Sequence, residues 1–109
     1  MEKTITINGR EVAFKATAGT IRRYRIRFHR DLLADMQKVA ANGEKLTDDG
    51  LQTFENIAYI MARQADESVP DSPEEWLDQF EMFAIYEALP QIIELWGENM
   101  VTLSQSKKK

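Results

Sequence analysis

The helical character of this chain is set by residues 17–39, which read TAGTIRRYRIRFHRDLLADMQKV. Apolar side chains recur there every three or four residues and fall on one helical face at 100° per residue. They are Ile21, Tyr24, Phe28, Leu32, Met36 and Val39. The pattern predicts either one helix over about 18–41, capped by Thr17, or two helices that break near His29, with Asp31 capping the second.

The segment before this stretch alternates polar and apolar residues, as a half-buried strand does. Its apolar positions are Ile5, Ile7, Val12 and Phe14. Asn8 and Gly9 lie between the two alternating runs, and this pair tolerates the positive φ angles of a type I′ turn. We therefore expect a β-hairpin over 3–16, which must pack on other elements because a two-stranded hairpin is marginal in water.

Further helices are predicted after residue 46. One begins at Thr47 or Asp48 and ends before residues 68–71. The next covers about 73–82, because a Ser-Pro-Glu-Glu motif combines a capping serine with a proline in the first turn. A last helix is expected to kink or restart near Pro90, which removes a backbone hydrogen bond.

The predicted fold class is mainly α (α+β), an N-terminal β-hairpin followed by four to five helices in a compact bundle. At 109 residues the chain fits one domain. We expect this domain over 1–103, with the hairpin at 3–16 and the helical part at 18–103. Residues 104–109 are expected to form a disordered basic tail.

Composition excludes several kinds of site. The chain has no cysteine and one histidine, so a disulfide framework or a zinc site of Cys and His is not available. No apolar run approaches the roughly 20 residues that cross a bilayer, and no signal-peptide pattern precedes the first strand. We expect a cytoplasmic protein with no membrane partner and no cofactor.

Charge divides the chain into two unlike halves. Residues 1–45 carry a net charge of +5, residues 46–106 carry −12, and three lysines follow. Five arginines lie in the predicted helical stretch 18–41, which we call the basic helix. They are Arg22, Arg23, Arg25, Arg27 and Arg30. They fit an acidic protein partner, a solvated helix face or nucleic acid. We favour the protein partner, since the acidic half would repel nucleic acid but attract the basic helix of another copy.

This charge pattern leads to a hypothesis of self-association. The basic residues Arg22, Arg23 and Arg27 of one copy would meet acidic residues of the next copy, namely Glu74, Glu75 and Asp78. A contact between unlike surfaces is heterologous and generates rings or open arrays. Together with Asp71, these acidic residues also suit acid–base catalysis or a hard cation, but their place in a helix's first turns favours capping and solvation. His29 has no serine or cysteine at a recognisable spacing, so we expect no enzyme.

Aromatic residues of the C-terminal half are candidates for core or interface. They are Trp76, Phe80, Phe83, Tyr86 and Trp96. A chain this small need not bury all of them, and exposed aromatics are the usual anchors of protein interfaces.

The order of these motifs over about residues 2–100 resembles the tail assembly chaperones of long-tailed, siphovirus-type bacteriophages and prophages of Gram-positive bacteria. After the Asn-Gly hairpin come residues 14–20, FKATAGT, then RRYR at 22–25 and FHRDLL at 28–33. EEWLDQF at 74–80 precedes a later Leu-Pro. His29 departs from the resemblance, which implies glycine at this position.

The resemblance implies a protein that binds the tape measure protein and keeps it soluble during tail morphogenesis. It implies the host bacterial cytoplasm, absence from the mature virion, and a longer form made by ribosomal frameshifting. Lys107 to Lys109 fit slippery adenine-rich codons, or serve only as a solubilising tail. The five aromatics named above would then bind the client. Alternatives are a small nucleic-acid-binding regulator that uses the arginine helix, or a structural tail component.

Overall fold

The structure is a computed structural model that describes residues 2–42 and 48–94. Several predicted features lie outside the described residues, namely Trp96, Thr47, the tail at 104–109 and the end of the domain at 103.

A β-hairpin opens the chain, as predicted. Strand β1 (Glu2–Ile7) pairs antiparallel with β2 (Arg10–Lys15). Asn8 and Gly9 have φ angles of 53° and 75°, which a type I′ turn requires. One face of the hairpin is buried through Ile5, Ile7, Val12 and Phe14. This face supplies the packing that a two-stranded sheet needs.

The basic stretch forms two helices, α1 (Ala18–Phe28) and α2 (Leu32–Asn42). His29 lies between them in the left-handed conformation, with φ 57° and ψ 39°. Asp31 Oδ1 then accepts a hydrogen bond from the backbone N–H of Leu33, at 3.0 Å, and so caps α2. The two-helix alternative is therefore confirmed, and His29 adopts the conformation that glycine adopts most easily.

Helix α3 (Asp48–Ala65) is the central element, with β2, α1 and α2 packed around it. Phe54, Ala58 and Met61 recur at helical spacing and are buried. Burial also extends to every residue of 57–62, including Tyr59. The buried surface of α3 is therefore broad, because β2, α1 and α2 all pack against this helix.

Residues 73–94 contain two short helices and the described part of a third. They are α4 (Pro73–Leu77), α5 (Ala84–Glu87) and α6 at 89–94. The predicted helix over 73–82 is thus too long. The chain leaves it through tighter turns, in which the N–H groups of Gln79 and Phe80 bond to carbonyls three residues back. The restart near Pro90 is confirmed.

The predicted fold class is confirmed, and residues 2–42 and 48–94 contain six helices rather than four to five. The higher count arises because residues 84–94 form two helices on either side of Ala88. In these described ranges, no helix combines the length and apolar character required to span a membrane.

Candidate protein-binding surfaces

A partly buried charged network joins α1 to α2. Asp35 is 3% exposed and accepts a hydrogen bond from the Tyr24 hydroxyl at 2.8 Å. Arg30 donates two more, from Nε at 2.7 Å and from Nη2 at 2.8 Å. These Arg30 bonds hold the pKa of Asp35 below its ordinary value, and burial together with Asp35 raises the pKa of Tyr24. Asp35 thus stays ionised and is satisfied inside the fold.

A polar groove of about 500 Å³ opens beside this network, between α2 and α3. Its lining includes Lys38, Asp49, Gln52 and Asn56, together with Arg30 and Asp35. Both oxygens of Asp35 are already occupied by the bonds described above. Within the part of the chain that the structure describes, no cluster of His, Cys, Asp or Glu is arranged to hold a metal ion.

Arg27 is engaged within its own chain. Its Nη1 lies 3.3 Å from Asp71 Oδ1, and its Nη2 donates to the Asp71 backbone carbonyl. The guanidinium also stacks 5.1 Å from the centroid of the Tyr59 ring. The basic and acidic segments thus already meet here inside one molecule, and the contact of Arg27 with another copy stays a prediction.

Arg22 and Arg23, by contrast, are exposed on the outer side of α1. Ile26 follows them by four and three residues, so it shares their helix face. This isoleucine is 62% exposed. We call Arg22, Arg23 and Ile26 the basic patch; α1 contains no acidic residue that would neutralise it.

The three predicted acidic residues remain at the surface. Glu74, Glu75 and Asp78 are all exposed on or next to α4. The Glu75 backbone N–H bonds to the Ser72 side chain at 3.3 Å, as the predicted cap requires. Their carboxylates are thus open to solvent beside the site of the Arg27–Asp71 ion pair.

Trp76 is a core residue and not a client contact, so the prediction for it is corrected. It is 2% exposed, and its ring packs against Tyr59 at 6.0 Å and edge-on against Phe80 at 5.2 Å. Phe80 is half-buried beneath the guanidinium of Arg10. Glu74 and Glu75, which precede Trp76 in α4, are exposed, so α4 has one buried and one solvent-facing side.

Two further predicted aromatics differ in their exposure. Tyr86 is half-buried and its hydroxyl donates to a carboxylate oxygen of Glu55. This hydrogen bond, aided by burial, raises the pKa of Tyr86 to about 12. Phe83, however, is 66% exposed. Among the predicted client-binding residues described, Phe83 therefore has the most open side chain for a partner.

Met82, which is not among the predicted client-binding residues, is 78% exposed beside Phe83. We call this pair the apolar ridge. It borders a shallow depression whose lining includes Glu81, Glu87 and Asn8 of the hairpin turn. The described lining contains two carboxylates and no lysine or arginine, so the ridge suits apolar side chains that are flanked by positive charge.

Sequence reasoning missed Met82 because a methionine outside a periodic stripe carries no pattern. One feature could have indicated its exposure: Met82 lies two residues after Phe80, in a segment where the helical spacing of apolar residues is interrupted. Comparisons with protein-family models, with curated proteins and with solved structures found no match to this chain.

Proposed function

We propose that this protein is a tail assembly chaperone, which binds the tape measure protein and keeps it soluble in the host cytoplasm during tail morphogenesis. The observation that supports this proposal is the apolar ridge. Two large apolar side chains, Met82 and Phe83, are held next to each other at the surface. A surface of this kind serves binding and requires no chemistry.

The size of the ridge indicates how such a chaperone would work. Fully burying a Met or Phe side chain contributes roughly 1.5–3 kcal/mol. Association costs several kcal/mol of lost motional freedom, so two side chains give weak binding from one copy. A long client with many apolar segments would bind many copies, and an excess of copies over client would keep these weak sites occupied by mass action.

Co-expression with the tape measure protein of the same phage or prophage tests the proposal. We expect the wild-type chain to raise the soluble fraction of the client, and the double variant Met82→Ser/Phe83→Ser to lose most of that effect. Gln37→Ser, at an exposed position on α2, is the control for a neutral surface change. Both variants must keep the wild-type far-UV circular dichroism spectrum. A client that is equally soluble with the ridge variant contradicts the proposal.

A nucleic-acid-binding regulator is the second candidate, and the exposed Arg22, Arg23 and Arg25 favour it. Such a protein would shift duplex DNA in a gel at moderate salt, with a preference for its operator. We expect no specific shift. Mass spectrometry of purified virions tests the remaining alternative, because a structural tail component would be found there and a chaperone would not.

A further inference from the structure

Three large apolar side chains are exposed among the described residues, and their electrostatic surroundings are opposite. Ile26 lies beside Arg22 and Arg23 in the basic patch. Met82 and Phe83 lie beside Glu81 and Glu87 in the apolar ridge. One chain thus carries both halves of a complementary contact.

We propose that the basic patch of one copy docks on the apolar ridge of a second copy. Ile26 packs against Met82 and Phe83, while Arg22 and Arg23 approach the glutamates that border the ridge. The second copy is the occupant that the structure itself indicates, since α1 presents an apolar side chain with flanking cations. This combination is complementary to the ridge, whose apolar side chains are bordered by carboxylates.

This contact replaces the pairing expected from sequence. Arg27 does not take part because Asp71 and Tyr59 of its own chain hold it. The acidic side moves from the α4 residues to Glu81 and Glu87, where exposed apolar area accompanies the charge. Exposed ion pairs alone contribute about 0–1 kcal/mol, so an interface needs the apolar contact as well.

The two surfaces differ, so each copy keeps one of them free after a single contact forms. Contacts of this type add further copies until a ring closes, or continue as an open array. The ionic part of the contact is screened by salt, whereas the apolar part is not. We therefore expect self-association to weaken, but not vanish, as salt is raised.

The ridge then has two competing partners, and this last step rests on the proposed function. A second copy covers the ridge when no client is present. A client segment that carries an apolar side chain with basic neighbours displaces that copy. Copies in excess of client would thus protect each other's exposed apolar side chains.

Sedimentation velocity over a range of protein concentrations tests the docking. The weight-average mass of the wild type should rise above that of the 12.6 kDa monomer as concentration increases. Ile26→Ser and Met82→Ser/Phe83→Ser should each remain monomeric. All three substituted positions are exposed, so circular dichroism should show unchanged folding.

Charge reversal provides the decisive comparison. Arg22→Glu/Arg23→Glu and Glu81→Lys/Glu87→Lys should each be monomeric when alone. An equimolar mixture should associate, because the unaltered patch of one variant matches the unaltered ridge of the other. Arg25→Glu/Lys38→Glu makes the same change in charge at exposed positions outside both surfaces and should associate like the wild type.

A wild type that stays monomeric at every concentration overturns the inference, and so does a folded mixture that fails to associate. The co-expression assay separates this outcome from failure of the proposed function. If the ridge variant alone loses client solubilisation while the wild type is monomeric, the chaperone proposal stands and self-docking is wrong. If copies dock as described and no client is solubilised, self-docking stands and the chaperone proposal is wrong.

Discussion

Removal of one hydroxyl group from the partly buried network that joins α1 to α2 should measurably destabilise the fold. The Tyr24 ring is 0% exposed, and Tyr24→Phe keeps that ring while deleting the hydroxyl that donates to Asp35 at 2.8 Å. A hydrogen bond to a charged group contributes about 1.5–3 kcal/mol. Arg30 still binds both carboxylate oxygens, so we expect the lower end, about 1.5 kcal/mol.

Tyr59→Phe is the matched control. The Tyr59 ring is also 0% exposed, but its hydroxyl donates to the neutral backbone carbonyl of Pro70, at 2.7 Å. Neutral hydrogen bonds contribute about 0.5–1.5 kcal/mol, so the Tyr59 variant should lose less stability than the Tyr24 variant. The two substitutions remove the same atom from residues that are both 0% exposed, and they differ in the acceptor, which is a carboxylate for Tyr24 and a backbone carbonyl for Tyr59.

Urea unfolding followed by far-UV circular dichroism at pH 7 measures both losses. Thermal melts provide a second measurement. A domain near 100 residues loses roughly 4–8 °C per kcal/mol, so the Tyr24 variant should melt about 6–12 °C below the wild type. The slope of the free energy of unfolding against urea should stay unchanged, because the substitution hardly changes the surface area that is exposed on unfolding. A Tyr24 variant that is no less stable than the Tyr59 variant would refute the role given to the Asp35 carboxylate.

Three further predictions concern single residues. The pKa of Asp35 is lowered in the folded state. Its contribution to stability is therefore present above its unfolded pKa and is lost as pH falls through the folded pKa. In urea titrations, the difference in stability between wild type and Asp35→Asn should be constant near neutral pH and shrink below about pH 4. His29→Gly should raise stability by about 0.5 kcal/mol in thermal melts, because relief of the left-handed strain exceeds the entropy cost of glycine, whereas a destabilised variant would show that the imidazole has a packing role. Arg27→Ala should lower the free energy of unfolding by about 1 kcal/mol or less, since Asp71 is 84% exposed. It should leave the sedimentation behaviour unchanged; loss of self-association would show that Arg27 contributes to the contact between copies.

Much of the local structure follows from the sequence alone, because the forces involved act over a few residues. Asn8 and Gly9 accept positive φ angles, and this fixes the hairpin turn. Ser72 caps α4, and Pro90 lacks the N–H that would continue a helix. The buried positions of β1 and β2 follow from alternation, since a strand exposes successive side chains to opposite faces.

The candidate site depended more strongly on contacts between distant residues. Trp76 and Phe83 are both aromatic residues of the C-terminal half, yet one is 2% and the other 66% exposed. The difference arises because α4 ends at Leu77 and the chain turns before α5. Helical periodicity does not predict that turn, so it does not predict which aromatic residue reaches the surface.

By itself the sequence determined the fold class, the hairpin, the main helix starts and the separation of charge into two halves. Each of these depends on local backbone preferences or on residue counts. Only the tertiary structure decided that Arg27 is used internally, since its partner Asp71 is 44 residues away. It also decided that Ile26, Met82 and Phe83 remain exposed, because burial depends on which elements pack against one another across the whole chain.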